Sequence, residues 1–568
     1  MIRPAHSLAH MFLTVLLFAP LTLAQDRDSR LKQAYERLDI YIAREMKANG
    51  IPGLSLAVTD RKGLLRASAY GYADTKLKKP VTPETEFEIG SISKSFTAIS
   101  LLQLSEEGKY DARQPITKYL PWFSIHSKYA PITGHEVMTH TAGLPRDRDD
   151  IPSSLYQAAG VRDRWTGYAP GQHFAYSNVG YQIMGYLFEE ITQKPLGDTL
   201  RQRIFQPLGM NHSEPMFTHD TYERLATGYA PLYDDRPTGP STPLIEATWL
   251  EYQAGDGSIV STAADMAAYL RMLLNRGVGP NGRILSEQSF RLLTQRAIKE
   301  TGDPEAGWYG YGIVSSIVDN HNHIAHDGGM VGYSSQMRGD LDSGLGVIAL
   351  VNYPGGPGGV ADYALKLLRA AYENQELPPL PEQELRTKVE NAADFAGTYT
   401  GPEGKKLILT AEGEKLLLAV GTDKIALENH GQDSFLVPHA EFSLFPLSFG
   451  RENRKVVEAF HGGEWFIGER YSGPRNFSTP AEWASYPGHY RANHAWFNNF
   501  RIVLRKGQLY LISPDGGEWV LTPDDRGGFW ASEKDTLPRE QISFDTPVHG
   551  KTLRCNLSGL NYYRSFTP

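Results

Sequence analysis

Ser91 and Lys94 stand three residues apart in Phe87-Glu88-Ile89-Gly90-Ser91-Ile92-Ser93-Lys94-Ser95-Phe96. Positions i and i+3 of a helix share a face, so the hydroxyl and the amine point the same way. A serine hydroxyl is a weak nucleophile until a neighbouring base takes its proton, and an amine that can be neutral is such a base. A helix opening at this point also favours negative charge developing there. The pair is common by chance, so the chemistry requires partners. Tyr176-Ser177-Asn178 offers a phenol whose anion a lysine ammonium favours and which can relay a proton to a leaving group. Asn178 offers an amide to a substrate carbonyl. Alone, this motif reads better as a buried tyrosine beside a helix-capping asparagine. His326-Asp327-Gly328-Gly329 supplies glycines suited to a strand that a substrate backbone approaches closely. The N–H groups of Gly329 and Ser91 can form an oxyanion hole. The alternative is a glycine turn with an incidental histidine.

These residues need elements to hold them. Phe96, Ile99 and Leu102 predict a buried helix opening near Ser91. Residues 28–48 also read as helical, and residues 54–58 and 64–72 as a strand hairpin turning at Asp60-Arg61-Lys62-Gly63. Val179 to Glu190 reads as a helix. Ser261-Thr262-Ala263-Ala264-Asp265 opens another with a capping-box pattern. Leu345 to Val351 is a buried strand and Ala361 to Tyr372 a final helix. Strands at both ends of a helical middle predict one α+β domain closed by pairing of its ends.

The 568 residues exceed one core and predict about three domains. A net charge of -8 without a basic block argues against nucleic acid as a partner. Arg3 followed by an apolar run from Met11 to Ala24 reads as an export signal over residues 1–24, too short to span a bilayer. The expected location is therefore periplasmic or secreted, with no stable membrane anchor once the signal is cleaved. With Cys555 the only cysteine, no intrachain disulfide forms, and a cysteine-based zinc site is excluded.

The expected catalytic domain spans residues 28–375, and a proline-rich linker spans 376–393. Two copies of a small antiparallel β-barrel or sandwich follow, at 394–480 and 481–568. Phe395-Ala396-Gly397-Thr398-Tyr399 matches Tyr486-Pro487-Gly488-His489-Tyr490, and Gly413 to Leu418 matches Gly507 to Leu511. Leu427 and Phe435 keep the spacing of Leu521 and Phe529. The stretch His439 to Asn453 is the expected long loop.

Taken in order, the three motifs resemble those of the serine hydrolases of the penicillin-binding-protein and class C β-lactamase superfamily. Met138-Thr139-His140-Thr141-Ala142-Gly143-Leu144-Pro145 and Gly255-Asp256-Gly257-Ser258 resemble flanking segments of the same superfamily. The resemblance covers roughly residues 30–375. It implies an antiparallel sheet flanked by helices, with Ser91 as acylated nucleophile, Lys94 as base and Tyr176 as proton shuttle. Asn178, His326, Gly328 and Gly329 would line the substrate site. Class C β-lactamases usually carry Lys-Thr-Gly where this chain has His326-Asp327-Gly328, and a histidine there is similar to certain D-alanyl peptidases and D-aminopeptidases. The three-domain layout is also similar to bacterial D-aminopeptidases.

The resemblance thus implies a serine hydrolase acting on small peptides, amides or esters, D-amino-acid peptides favoured, by D-aminopeptidase or D-alanyl carboxypeptidase chemistry. A carboxylesterase or weak β-lactamase is the alternative within the superfamily. A non-catalytic protein binding cell-wall fragments or β-lactams is the alternative from another class. The expected partner is a small-molecule or peptide substrate, with a homo-oligomer left open.

No cofactor and no metal is expected. His135-Glu136-Val137-Met138-Thr139-His140 fails as a zinc helix because its second histidine is at i+5. His321 and His323 share a strand face, but no carboxylate lies at a ligating spacing along it.

Overall fold

A computed structural model of the chain describes residues 12–146, 153–303, 306–383, 385–494, 496–533 and 539–567. Among these, five helices exceed ten residues: α1 (Phe12–Asn49), α2 (Ser93–Glu106), α3 (Asn178–Thr192), α4 (Ala263–Leu274) and α5 (Val360–Tyr372). The expected export signal falls partly on residues 1–11, outside the described residues, and partly on the start of α1. No helix of the described residues is long and apolar enough to cross a membrane.

The chain forms two compact units. The first comprises residues 1–107, 194–229 and 257–381. Its frame is a nine-stranded antiparallel sheet of β1 (Gly53–Asp60), β2 (Leu64–Asp74), β3 (Lys79–Pro80), β4 (Ile298–Lys299), β5 (Trp308–Tyr309), β6 (Val314–Val318), β7 (His321–Met330), β8 (Tyr333–Asp340) and β9 (Leu345–Val351). The spatial order is β4-β5-β6-β7-β8-β9-β1-β2-β3. The ends of the domain do pair: Leu54 lies opposite Val351 and Asp60 opposite Leu345. Every residue of β9 is buried, as its unbroken apolar run requires of a strand covered on both faces.

On one face, Leu38 and Ile42 of α1 and Leu367 and Leu368 of α5 pack on Leu56, Val58, Val347 and Ala349. On the other face sits α4. Gly339 and Gly346 are register partners, and a Cβ at Gly346 would fall 2.5 Å from Leu270 Cδ2, so glycine there lets α4 approach the sheet. The proline-rich segment is tied down through its carbonyls. Arg37 Nη1 donates to Leu377 O and Pro378 O, and Arg44 Nη1 to Pro381 O.

The second unit comprises residues 108–193, 230–256 and 382–568. Its first β-structure is a nine-stranded sheet from Gly397–Thr400 to Glu464–Gly468. The sheet's two edge strands, Asp423–Ala426 and Glu428–Gly431, are consecutive in sequence and flank the buried Leu427. The second is a closed eight-stranded barrel from Gly488–Arg491 to Leu560–Arg564.

The matched sequences do the same work in both copies. Tyr399 Oη donates to Phe395 O at 2.9 Å, and Tyr490 Oη to Tyr486 O at 2.7 Å. Gly413 and Gly507 turn equivalent hairpins at φ 62° and 76°. Leu427, Phe435, Leu521 and Phe529 are all core residues. The expected long loop, His439 to Asn453, is only half loop. His439 caps a short 3-10 turn, and Leu447–Glu452 is an interior strand, because Leu447 and Phe449 alternate into the core.

Candidate active site

Ser91, Lys94, His326, Gly328 and Gly329 come together in the first unit. Gly90–Ile92 is a 3-10 turn that runs into α2 at Ser93, so the nucleophile candidate sits on the turn just ahead of the helix. Between Thr85 and Leu102, Ser91 is the one residue that is not buried. Lys94 is fully buried, and its Nζ lies within hydrogen-bond distance of Ser91 Oγ, at 2.9 Å. An apolar run places the amine here because the rest of α2 must be core: Phe96 stacks on Tyr269 of α4 with ring centroids 3.8 Å apart.

β7 crosses this turn at close range. Gly90 has φ 53°, and a Cβ there would fall 2.7 Å from Gly329 N and O. A Cβ at Gly328 would fall 2.0 Å from Ile89 O, which also accepts a 2.8 Å hydrogen bond from Ser335 Oγ. Only glycine fits at either place. Gly329 has open space where a Cβ would point, which leaves room for a substrate backbone.

His326 is held on both ring nitrogens. Nδ1 donates to Asp327 O at 2.6 Å, so Nε2 accepts from Tyr309 Oη at 2.9 Å. Burial, and then the charge of Lys94, push its pKa down from 6.5 to about 4. His326 is therefore neutral at pH 7 in the folded chain, whereas the unfolded chain takes up its proton below 6.5. Its contribution to stability is present above pH 6.5 and is lost as pH falls from 6.5 towards 4, at up to about 1.4 kcal/mol per pH unit. His326→Gln should flatten that part of the curve. Urea midpoints of the two proteins at pH 7 and pH 5 check this, and equal losses would count against a buried neutral imidazole.

Tyr176 and Asn178 belong to the second unit and are positioned there. Ser177 is the N-cap of α3, its Oγ accepting from Gly180 N, so the cap is the serine and Asn178 is left for other contacts. Ser177 N donates to His140 Nδ1 at 3.0 Å, and the imidazole lies 4.2 Å from the Tyr176 ring, centroid to centroid. His140 is buried and holds a left-handed φ of 57°, an unusual cost for a non-glycine residue. Asn178 N donates to Arg146 O at 2.8 Å, and Arg146 N donates to Glu540 Oε1 of the closed barrel at 2.8 Å. Glu540 is buried, and its Oε2 accepts from Ser558 Oγ.

Sequence reasoning missed three residues: Tyr309, His140 and Glu540. Tyr309 lies on β5, two strands away from the His326 it contacts. His140 was legible only as text of a flanking loop. Nothing local marks Glu540.

The Beta-lactamase family model matches residues 38–371. Protein flp of Staphylococcus aureus (strain NCTC 8325 / PS 47) is 24% identical over 328 residues, 56% of this chain and 63% of the relative. The match thus spans less than two thirds of that protein. A penicillin-binding protein of Bacillus subtilis (strain 168) is 25% identical over 388 residues, 63% of this chain and 81% of the relative. Among solved structures, the octameric penicillin-binding protein homologue from Pyrococcus abyssi is similar in fold, with a TM-score of 0.56 at 24% identity, covering 76% of this chain and 99% of that one.

Proposed function

Because this chain belongs to the Beta-lactamase family, the match covering residues 38–371, we propose that it is a serine hydrolase working through an acyl-enzyme on Ser91. One observation carries the reading: a fully buried amine lies 2.9 Å from the only accessible residue of its run. In the proposed cycle Lys94 Nζ takes the Oγ proton as Oγ bonds to the substrate carbonyl carbon. The N–H groups of Ser91 and Gly329 receive the oxyanion. Tyr176 passes a proton to the leaving amine or alcohol as its bond to carbon breaks, and Asn178 orients the substrate amide. Water then attacks the ester carbon, passing its proton to Tyr176; the carbon–Oγ bond breaks, Oγ regains its proton from Lys94, and the acid leaves.

The substrate class follows from His326. A neutral, doubly engaged imidazole stands where class C enzymes carry a lysine, so this position offers no full positive charge to a substrate carboxylate. We therefore rank D-amino-acid amides and N-terminal D-aminopeptide substrates above D-alanyl carboxypeptidase substrates and β-lactams, with simple esters between. The proposed organisation is an export signal at 1–24, a hydrolase domain at 28–375 and two C-terminal β-modules, giving a periplasmic or secreted enzyme. On the likeness to a structure described as octameric, self-association is proposed as well. Sedimentation that finds a monomer at every concentration rejects it.

A panel of D-alanyl amides, D-Ala-D-Ala peptides, short acyl esters and cephalosporins tests the ranking through kcat/KM. Fast cephalosporin turnover with no activity on the amides overturns it. A fluorophosphonate that fails to label Ser91 leaves the chain a binding protein and removes the hydrolase reading altogether.

A further inference from the structure

At the end of β7 away from Gly329, the strand carries a second cluster. His321 and His323 alternate along the strand and so share a face. The β7–β8 register sets Asp340 opposite His323, and Asp342 follows in the turn beyond β8, its Oδ2 accepting from Asn322 N. Ligand atoms of His321, Asp340 and Asp342 all lie within 4.8 Å of one another. His321 Nδ1 is 2.9 Å and His323 Nε2 3.8 Å from Asp340 Oδ2.

These atoms converge without satisfying each other. Asp340 is fully buried, and its Oδ2, together with His321 Nδ1 and His323 Nε2, makes no hydrogen bond. A buried carboxylate oxygen without a donor is expensive. The rest of the cluster is fixed. Asp340 Oδ1 accepts from Asp342 N and Ser343 N, and Asp342 Oδ2 accepts from Asn322 N and Nδ2. On the other ring nitrogen of His321, Nε2 lies 3.7 Å from Glu373 Oε1, a nearby carboxylate beyond hydrogen-bond distance. The nearest guanidinium, Arg369, stays 3.8 Å from Asp340 Oδ2 and pairs with Asp319, balancing charge without occupying the oxygen.

We propose that His321, His323, Asp340 and Asp342 form a binding site for a divalent zinc-type cation. Two imidazole nitrogens select zinc over magnesium or calcium, which prefer all-oxygen ligation. With Zn–N and Zn–O bonds near 2.0–2.2 Å, a tetrahedral site separates its ligand atoms by about 3.3–3.5 Å. The 2.9 and 3.8 Å separations bracket that value. The cation would satisfy the buried Asp340 oxygen and bridge the turns that end β6–β7 and β8–β9. Its role is structural: it sits at the far end of the strand that carries His326.

Equilibrium dialysis of the untagged full chain against zinc, after stripping with a chelator, tests the site. One zinc per chain is expected, with a rise in thermal midpoint on loading. His321→Ala/His323→Ala should lower affinity by at least about 100-fold and abolish the thermal response, and Asp342→Asn should lower affinity about tenfold. Zinc uptake that is absent in the parent, or equal in the parent and the double variant, overturns the proposal. If the double variant does not fold, Asp342→Asn decides, because its side chain is exposed: unchanged affinity there rejects the site.

Discussion

Lys94→Met is expected to leave a protein that does not turn over substrate yet stays folded, with a thermal midpoint close to the parent's. Lys94 is completely buried, and methionine is a flexible apolar side chain of similar length that can fill the same space. In the proposed mechanism Ser91 and Lys94 act as one unit, so Ser91→Ala and Lys94→Met should each lower kcat/KM by at least about 10^4-fold and should not multiply when combined. The parent and the three variants are compared by hydrolysis of a D-alanyl amide and by thermal midpoint. Residual turnover within tenfold of the parent in Ser91→Ala would remove the nucleophile assignment. A Lys94→Met protein that is inactive and also strongly destabilised would show a structural role for the amine instead.

Glu540→Ala should slow the proposed hydrolysis from within the C-terminal barrel. The barrel carboxylate holds Arg146 N, and Arg146 O holds Asn178 N, so two hydrogen bonds join the barrel to the start of α3. Breaking a buried charge-assisted bond costs about 1.5–3 kcal/mol. Displacement of a positioning group by about 1 Å can cost on the order of 100-fold in rate. The expected result is a 10- to 100-fold lower kcat with a much smaller change in KM. Glu540→Gln, which keeps the accepting oxygen, should recover most of the rate. Equal losses in both variants, matched by equal falls in thermal midpoint, would mean that Glu540 only stabilises the fold. This comparison is cleaner than removing the β-modules. Residues 382–568 form one compact unit with residues 108–193 and 230–256, and Arg501, for example, ion-pairs with Asp235 at 3.1 Å.

The parts of the site that were legible in the sequence are those whose geometry is local. Ser91 and Lys94 declared themselves because i, i+3 spacing survives the shift from 3-10 turn to helix. The sheet was legible at β9, where seven consecutive apolar residues leave few alternatives, and in the hairpin of β1 and β2. Contacts set by strand register were not. Tyr309 meets His326 only through β6, and Asp340 meets His323 only through the β7–β8 pairing, so neither partner lies at a recognisable spacing. For the same reason the cluster at His321 reads in sequence as histidines without carboxylates. The stretch His439 to Asn453 hides a strand because Gly450, Arg451 and Glu452 lie within it and its inward positions, Leu447 and Phe449, are too few to stand out.

Pairing of Leu54 with Val351 also fixes the order in which the molecule can be completed. A chain synthesised from its N-terminus presents β1 long before its second neighbour β9 exists. At about 5–20 residues per second, tens of seconds pass in which that edge of β1 has no strand beside it. The sheet therefore closes late, by a contact of long sequence separation, and such contacts slow folding. The same interval leaves the apolar run Leu54–Val58 open to pairing with other chains, so aggregation during expression should begin there.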